Sequence, residues 1–206
     1  MKTNGVRTLL KLRIPSKALK DEYVDRFLDA LVERVKNGVT WTENGKAKTC
    51  KLSDDAKDIL LPRWNTSTPN KSILKRLLIS EPVALKNLND ALQVKLDALV
   101  VKPSNSDLLK IFGYEKTFNN SSKKDAYWLS KKIDSNTCVY CNRQYAFTIE
   151  KGNGKNKDER IARLAFDHWF DKSDYPLMSL SLCNLISSCT RCNSSVKGYT
   201  YSSIRA

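Results

Sequence analysis

Two short segments, "CVYC" at residues 138–141 and "CTRC" at residues 189–192, carry the strongest information about the fold. Each contains two cysteines separated by two residues, a spacing at which both thiolates of a pair can turn towards one ion. Two such pairs complete a tetrahedral four-sulfur site that suits zinc. A site closed by four cysteines is structural, so the zinc is expected to stabilise a small module. The predicted zinc ligands are Cys138, Cys141, Cys189 and Cys192.

The remaining cysteines do not change this interpretation. A redox dithiol is the alternative for a single Cys-x-x-Cys pair, but it expects one pair that opens a helix in a βαβ pattern, which is not seen here. Six cysteines in a chain whose first residues do not resemble a secretion signal also argue against a disulfide framework. Cys50 and Cys183 are interpreted as small buried hydrophobic residues.

The segment between the two pairs contains the only histidine of the chain, His168. "LAFDH" is predicted to end a strand, "SLCNLISSC" leads back to the second pair, and "CTRCNSSVKG" is predicted to start a helix. In this order, the motifs Cys-x-x-Cys, Asp-His, Asn-Leu and Cys-x-x-Cys-Asn-x-x-x-Lys-Gly resemble an HNH endonuclease of the zinc-bearing ββα-metal type. The resemblance implies an HNN variant, because Asn193 stands where many relatives have a further histidine. The resemblance covers roughly residues 138–198, about a third of the chain.

The resemblance implies a role for each of five residues. His168 would be the general base that activates a water molecule, and Asp167 would ligate a catalytic divalent cation, Mg²⁺ or Mn²⁺. Asn193 would be the second ligand of that cation. Asn184 would hold the imidazole through its side-chain or main-chain oxygen, and Lys197, one helical turn beyond Asn193, would meet a phosphate.

The chemistry of phosphodiester hydrolysis is compatible with these residue types. The reaction needs a deprotonated water in line with the scissile bond, and a histidine that is neutral near pH 7 can accept the proton. Two oxygen ligands suit a hard cation that stabilises the developing charge. Because adjacent residues of a strand point to opposite faces, a distortion or the end of the strand must bring Asp167 and His168 to one phosphate.

Each of these residues also has a structural alternative. His168 is either the base or a structural residue, including one that replaces a cysteine at the zinc. Asn184 is otherwise a turn residue, Asn193 a helix cap, and Lys197 an ordinary surface lysine. Asp171 stands where relatives often have proline, and it is either an additional metal ligand or a loop acid.

The hydrophobic pattern predicts an α+β protein with two units. Residues 21–36 have a helical stripe of apolar residues that ends at Gly38, and "QYAFTIE" with "RIARLAFDHWF" predicts a long-looped β-hairpin. The predicted boundary at residues 134–137 separates a mostly α-helical region, residues 1–135, from a zinc-stapled ββα-metal module, residues 136–206. Further helices are predicted at residues 53–61, 71–79, 83–100, 106–111 and 122–133.

The charge of the chain predicts a polyanionic partner. Thirty-six Lys and Arg against 22 Asp and Glu give a net charge of +14. The excess is spread over both predicted units, since the last 71 residues hold 10 basic and 6 acidic side chains. We expect the helical region to bind DNA, with RNA as an alternative, or a partner subunit.

The function predicted from the sequence is therefore metal-dependent cleavage of DNA. The motifs around the Asp-His pair are similar to those of HNH nucleases of bacterial anti-phage defence systems that work beside an ATPase. The expected biological role is therefore anti-phage defence or restriction. One alternative is a non-catalytic zinc module that binds nucleic acid. Another is an effector subunit controlled by an ATPase partner. No P-loop motif occurs in this chain, so any nucleotide hydrolysis is expected to belong to another protein.

The expected location is the cytoplasm. The sequence contains no apolar run near the roughly 20 residues of a membrane helix, so no membrane partner is expected. The first residues are basic, but Lys11 and Arg13 interrupt their short apolar run, unlike a signal peptide.

Overall fold

The computed structural model describes residues 14–118, 125–133, 135, 137–145, 148–150 and 160–196. Within these residues the fold is α+β, as predicted, with helices over about half of them and three two-stranded antiparallel sheets. The helices are α1 (Lys17–Asn37), α2 (Asp54–Leu60), α3 (Ser72–Ile79), α4 (Pro82–Asp97), α5 (Asn105–Phe112), α6 (Tyr114–Phe118) and α7 (Asp125–Lys132). The strands are β1 (Val39–Glu43), β2 (Lys46–Cys50), β3 (Ile149–Glu150), β4 (Arg160–Ala162), β5 (Ala165–His168) and β6 (Leu185–Ser188).

Helix α1 is the long amphipathic helix that the apolar stripe predicts. It begins one turn earlier than expected, because the Ser16 side chain accepts a hydrogen bond from Leu19 N at 3.2 Å and caps the first turn. It ends at Gly38, whose φ of 80° is disfavoured for residues with a Cβ. A Cβ at Gly38 would also lie 2.3 Å from Cys50 O. Six residues of α1 are buried: Tyr23, Val24, Phe27, Leu31, Val32 and Val35.

The hairpin formed by β1 and β2 is an element that the sequence analysis missed. Asn44 and Gly45 both have positive φ, 51° and 74°, which is the conformation of a two-residue hairpin turn. The strands pair from Val39 with Cys50 to Glu43 with Lys46. Most of their side chains are exposed, so the hairpin lacks the alternating apolar pattern by which strands are usually recognised.

The predicted helices after α1 are present, with ends that differ by a few residues. Helix α5 begins with a capping box in which the Ser104 hydroxyl accepts from Asp107 N and the Asp107 carboxylate accepts from Ser104 N. Helix α6 is a further short helix that was not predicted, and its residues Tyr114 and Phe118 are buried.

The predicted β-hairpin of the C-terminal region is only partly correct. β3 pairs with β4, but the apolar run from residue 160 to residue 170 is two strands, because the chain leaves β4 after Ala162. β5 pairs with β6, with Asp167 opposite Ile186 and His168 opposite Leu185. Two short 3₁₀ turns, Pro176–Met178 and Leu182–Asn184, lie in the loop between them, and a helical segment, Cys192–Val196, follows β6.

The hydrophobic core continues across the predicted boundary at residues 134–137. A single cluster of buried side chains contains residues of α1 to α7 together with Phe166 of β5, Leu185 of β6 and residues of the loop between these strands. Two buried hydroxyls join the regions further, since Tyr23 Oη donates to Leu180 O at 2.8 Å and Tyr114 Oη donates to Phe166 O at 3.4 Å. The strands that carry the Asp-His motif are thus packed directly on the helical region.

Candidate functional site

The structure brings the four predicted zinc ligands together. Their Sγ atoms all lie within 4.8 Å of one another, although the two pairs are 51 residues apart in the sequence. Four sulfurs around a zinc ion at 2.3 Å would be about 3.8 Å apart, so the cluster matches a tetrahedral site with little adjustment. Cys138 and Cys141 lie in a turn closed by the bridge between Thr137 and Tyr145. Cys189 follows β6, and Cys192 opens the last helical segment.

Backbone groups around Cys141 are arranged to stabilise a thiolate. The backbone N–H groups of Arg143 and Gln144 lower the pKa of the Cys141 thiol to about 6. Burial, together with the neighbouring thiols, raises the pKa of Cys192. Four thiolates this close repel one another, and a bound divalent cation removes that repulsion and deprotonates its ligands. The donor set therefore fits zinc or a similar thiophilic ion.

Cys50 and Cys183 lie outside the cluster. The Cys50 side chain is buried, with Sγ 3.4 Å from Asp107 Oδ1, and the half-buried Cys183 has Sγ 3.7 Å from Ile79 O. Burial raises the pKa of both thiols to about 11, so both are neutral near pH 7.

A cavity of about 260 Å³ lies along β5. It is lined by three of the residues that the sequence analysis assigned to catalysis, Asp167, His168 and Asn193. The other residues that line it are Tyr114, Glu115, Arg163, Ala165, Phe166, Asp171 and Lys172. Glu115 and Lys172 form an ion pair across the cavity, one member from α6 and one from the loop after β5.

Asp167 is a buried carboxylate with a hydrogen bond at each oxygen. The residue is 3% exposed. Oδ1 accepts from His168 N at 2.7 Å, and Oδ2 accepts from the hydroxyl of Tyr140. Tyr140 belongs to the first cysteine turn, so this bond joins the four-cysteine cluster to the cavity.

His168 is the last residue of β5, and its ring is held on two sides. Nε2 lies 2.9 Å from Ser179 O, and the Tyr114 ring packs edge-on against the imidazole with centroids 4.5 Å apart. Because a carbonyl oxygen can only accept, Nε2 carries the proton, and Nδ1 is the basic nitrogen of the neutral ring. His168 is 5% exposed and is not one of the cysteine cluster.

The described hydrogen bonds of Asn184 go to backbone groups of the loop that follows β5. Its side chain accepts from Phe170 N at 2.7 Å and donates to Phe170 O and Met178 O, both at 3.0 Å. Its main-chain oxygen accepts from Trp169 N at 3.0 Å. The described bonds of Asn184 thus hold the backbone on both sides of the loop that follows His168, while the described bond of the imidazole is to Ser179 O.

Of the remaining predicted residues, Asn193 and Asp171 line the cavity. Asn193 lines the cavity and is half-buried, with its backbone N–H donating to Cys189 O at 3.0 Å. Lys197 lies outside the described residues. Asp171 lines the cavity as well, but its Oδ1 accepts from both the backbone and the hydroxyl of Ser173 and closes a turn.

The cavity residues to which the sequence gave no role include Tyr114, Glu115, Arg163 and Lys172. Tyr114 and Glu115 come from α6, about fifty residues before the Asp-His motif, and no local pattern marks them. Arg163 lies between β4 and β5, and its Nη1 donates to Leu164 O at 3.0 Å. The only available signal for Arg163 was a basic residue close to the Asp-His motif.

Comparisons of the chain with models of known protein families, with curated proteins and with solved structures found no match. None of the helices in the described part of the chain combines the length and apolarity needed to cross a membrane.

Proposed function

We propose that this protein is a metal-dependent endonuclease of the HNH type that hydrolyses phosphodiester bonds of DNA. The observation that carries the proposal is the meeting of Asp167, His168 and Asn193 at one cavity next to the four-cysteine cluster. The order of elements gives further support. β5, a loop, β6 and a helical segment follow one another, which is the strand–strand–helix order that the resemblance implies.

Asp167 and Asn193 are the residues that we assign to a divalent cation. Both offer oxygen atoms, the ligands that Mg²⁺ and Mn²⁺ prefer. A carboxylate has about four acceptor positions, so the hydrogen bonds that Asp167 accepts are compatible with a role as a metal ligand. The cavity of about 260 Å³ has room for several waters at about 30 Å³ each, and Mg²⁺ usually retains several. Such a cation, when bound, stabilises the charge that develops on the phosphate oxygens.

His168 is the residue that we assign as the general base. With the proton on Nε2 and the Ser179 carbonyl as its acceptor, Nδ1 is the atom that can take a proton from water. The Tyr114 ring fixes the plane of the imidazole, and Asn184 fixes the chain immediately after it. Both contacts reduce the entropy that the base loses on reaching a reactive geometry.

The charge of the cavity and of the whole chain supports a phosphate-bearing substrate. Arg163 and Lys172 line the cavity, and a guanidinium can hold phosphate oxygens in a bidentate manner. The net charge of +14 attracts a polyanion over a longer range. DNA is the substrate that we propose, and RNA is distinguished from it by experiment.

A zinc module that binds nucleic acid without cutting it is the second candidate. The observation that favours it is burial, because Asp167 and His168 are only 3% and 5% exposed and are hydrogen-bonded within the protein. Buried polar side chains with internal partners are also what a purely structural role requires.

Cleavage of plasmid DNA separates the two candidates. We expect the zinc-loaded full chain to convert supercoiled plasmid into nicked or linear DNA only when Mg²⁺ or Mn²⁺ is added. Asp167→Asn should lose this activity, because an amide is a weaker ligand than a carboxylate. Asp174→Asn is the matched control, since Asp174 is exposed on the same loop and does not line the cavity.

Two results would contradict the nuclease. One is a parent protein that binds DNA but leaves it intact with either cation, which would favour the zinc module. The other is an Asp167→Asn protein that cuts at the parent rate. Parallel reactions with single-stranded DNA and RNA identify the class of nucleic acid.

A further inference from the structure

Tyr140 connects the four-cysteine cluster with the proposed cation site. It stands between Cys138 and Cys141, and its half-buried ring packs against the cluster of cysteine side chains. Its hydroxyl donates to Asp167 Oδ2, a bond between residues 27 apart in the sequence. No pattern in the sequence assigns Tyr140 a role, because the spacing of the cysteines does not say where the side chain between them points.

The bond from Tyr140 completes the fixation of the Asp167 carboxylate. The backbone N–H of His168 already holds Oδ1 at 2.7 Å. A carboxylate held at one oxygen can still rotate about its Cβ–Cγ bond, whereas one held at both oxygens cannot. Hydrogen bonds to a carboxylate do not exclude a metal ion, because each oxygen has two lone pairs.

The position of the Tyr140 hydroxyl is set by the turn that holds it. Cys138 N donates to Gln144 O at 2.9 Å, and Asn142 N donates to Cys138 O at 2.8 Å. The turn is also tied to β6, where Val139 N donates to Ser187 O at 3.2 Å. A metal ion bound by the cysteines would fix the two ends of the same turn, so the zinc site and the carboxylate share one rigid support.

We propose that Tyr140 is a positioning residue, which fixes the Asp167 carboxylate for a hard divalent cation and makes that cation site depend on the four-cysteine turn. The inference rests on the proposed function, because Asp167 is there the ligand of the cation. Hydrogen bonds from the surroundings to ligating carboxylates commonly change metal affinity by about 10–100-fold when they are lost.

The test is Mn²⁺ binding to the zinc-loaded full chain, followed by the electron paramagnetic resonance signal of the free ion. Tyr140→Phe keeps the ring and removes only the hydroxyl. We expect its Kd for Mn²⁺ to rise about 10–100-fold, with zinc content unchanged and a cooperative melting transition retained. Tyr145→Phe is the matched control, because Tyr145 is 76% exposed on the same segment and does not line the cavity. Asp167→Ala identifies the Mn²⁺ site by removing its proposed ligand.

Cleavage assays add a second readout. The Mn²⁺ concentration for half-maximal cleavage should rise with Kd in Tyr140→Phe, while the rate at saturating Mn²⁺ should change less than about threefold. If the parent binds Mn²⁺ through Asp167 but cuts nothing, the proposed function fails and the positioning role stands. Equal Mn²⁺ affinity in Tyr140→Phe and parent would overturn the positioning role. The same conclusion would follow if the parent had no Asp167-dependent Mn²⁺ site, or if the Tyr140→Phe protein lost its zinc.

Discussion

Asp167 and His168 are adjacent in β5, and both line the same cavity. The arrangement has two local causes. β5 ends at His168, and Asp167 Oδ1 accepts a hydrogen bond from the backbone N–H of the next residue, His168. Side chains of aspartate often make such bonds to nearby backbone where a regular element ends. Side chains of adjacent strand residues normally point to opposite faces, but at the end of this strand both side chains reach one cavity.

The burial of His168 decides which substitution tests it. Truncation to alanine would remove a buried ring that packs on Tyr114, and the resulting cavity would lower stability as well as activity. His168→Gln is preferable, because its amide can donate to Ser179 O but has no basic nitrogen. If His168 is the general base, the cleavage rate should fall about 10²–10⁴-fold in this variant. Plasmid cleavage at saturating Mg²⁺ measures the change.

Zinc content and a cooperative melting transition serve as controls for the His168→Gln protein. Both should match the parent, since His168 is outside the cysteine cluster. A variant that cuts DNA at the parent rate would show that the imidazole is structural.

The contacts of Asn184 depend on how the loop after His168 folds. The motif predicted a role beside His168, and Asn184 does lie fully buried beside the start of the loop. Its four described bonds go to backbone atoms of Trp169, Phe170 and Met178. Which backbone groups surround a buried amide depends on how the loop folds, and no local sequence pattern predicts the conformation of that loop.

The helices were predictable, and the first hairpin was not, for reasons of burial. Helix α1 buries one stripe of its surface, so the stripe is visible in the sequence. β1 and β2 bury little, and their sequences lack an apolar face. The pair Asn44-Gly45 was the remaining signal, because asparagine followed by glycine favours the tight turn of a hairpin.

The candidate site was predictable only where its residues are close together in the sequence. The cysteine spacing predicted the four-sulfur cluster, and the Asp-His motif predicted a residue pair that lines the cavity. Helix α6 contributes the opposite wall through Tyr114 and Glu115, and it reaches the cavity by tertiary packing alone. Contacts of that kind leave no local pattern.

The two cysteine turns are the elements whose stability should depend on a metal ion. The free energy of zinc binding is also folding free energy, so removal of one ligand should release zinc and destabilise the turns. We expect Cys138→Ser and Cys189→Ser to bind less than one zinc per chain. The cost should be about 3 kcal/mol or more, which corresponds to a melting temperature lower by about 6–12 °C. Elemental analysis and thermal melting measure these quantities.

Cys183→Ser provides the comparison for the ligand variants. Cys183 is half-buried and lies outside the cluster, so its serine variant should keep zinc and melt within about 2 °C of the parent. The zinc assignment would be wrong if reduced parent protein contained no zinc, or if the ligand variants melted like the parent.

The continuous core gives the whole molecule its expected folding behaviour. Phe166, Leu180 and Leu185 pack in the same cluster as the buried side chains of α1 and α5. The buried Tyr23 hydroxyl donates across 157 residues of sequence to Leu180 O, which would otherwise have to find another partner. The predicted division into residues 1–135 and 136–206 therefore separates two stretches of sequence that share one interior.

A fragment of residues 136–206 should for this reason fail to fold on its own, even when it binds zinc. The hydrophobic core would lose the side chains of the helices, and the apolar side chains of β5, β6 and the loop between them would be exposed to water. Zinc would still order the cysteine turns, but the loop that holds His168 depends on packing against the helices. We expect the zinc-bound fragment to show poor dispersion of amide signals in NMR spectra and no cooperative melting. The full chain should unfold in a single transition, since one core unfolds as one unit. A fragment that melts cooperatively with one zinc bound would show instead that the C-terminal residues form an independent domain.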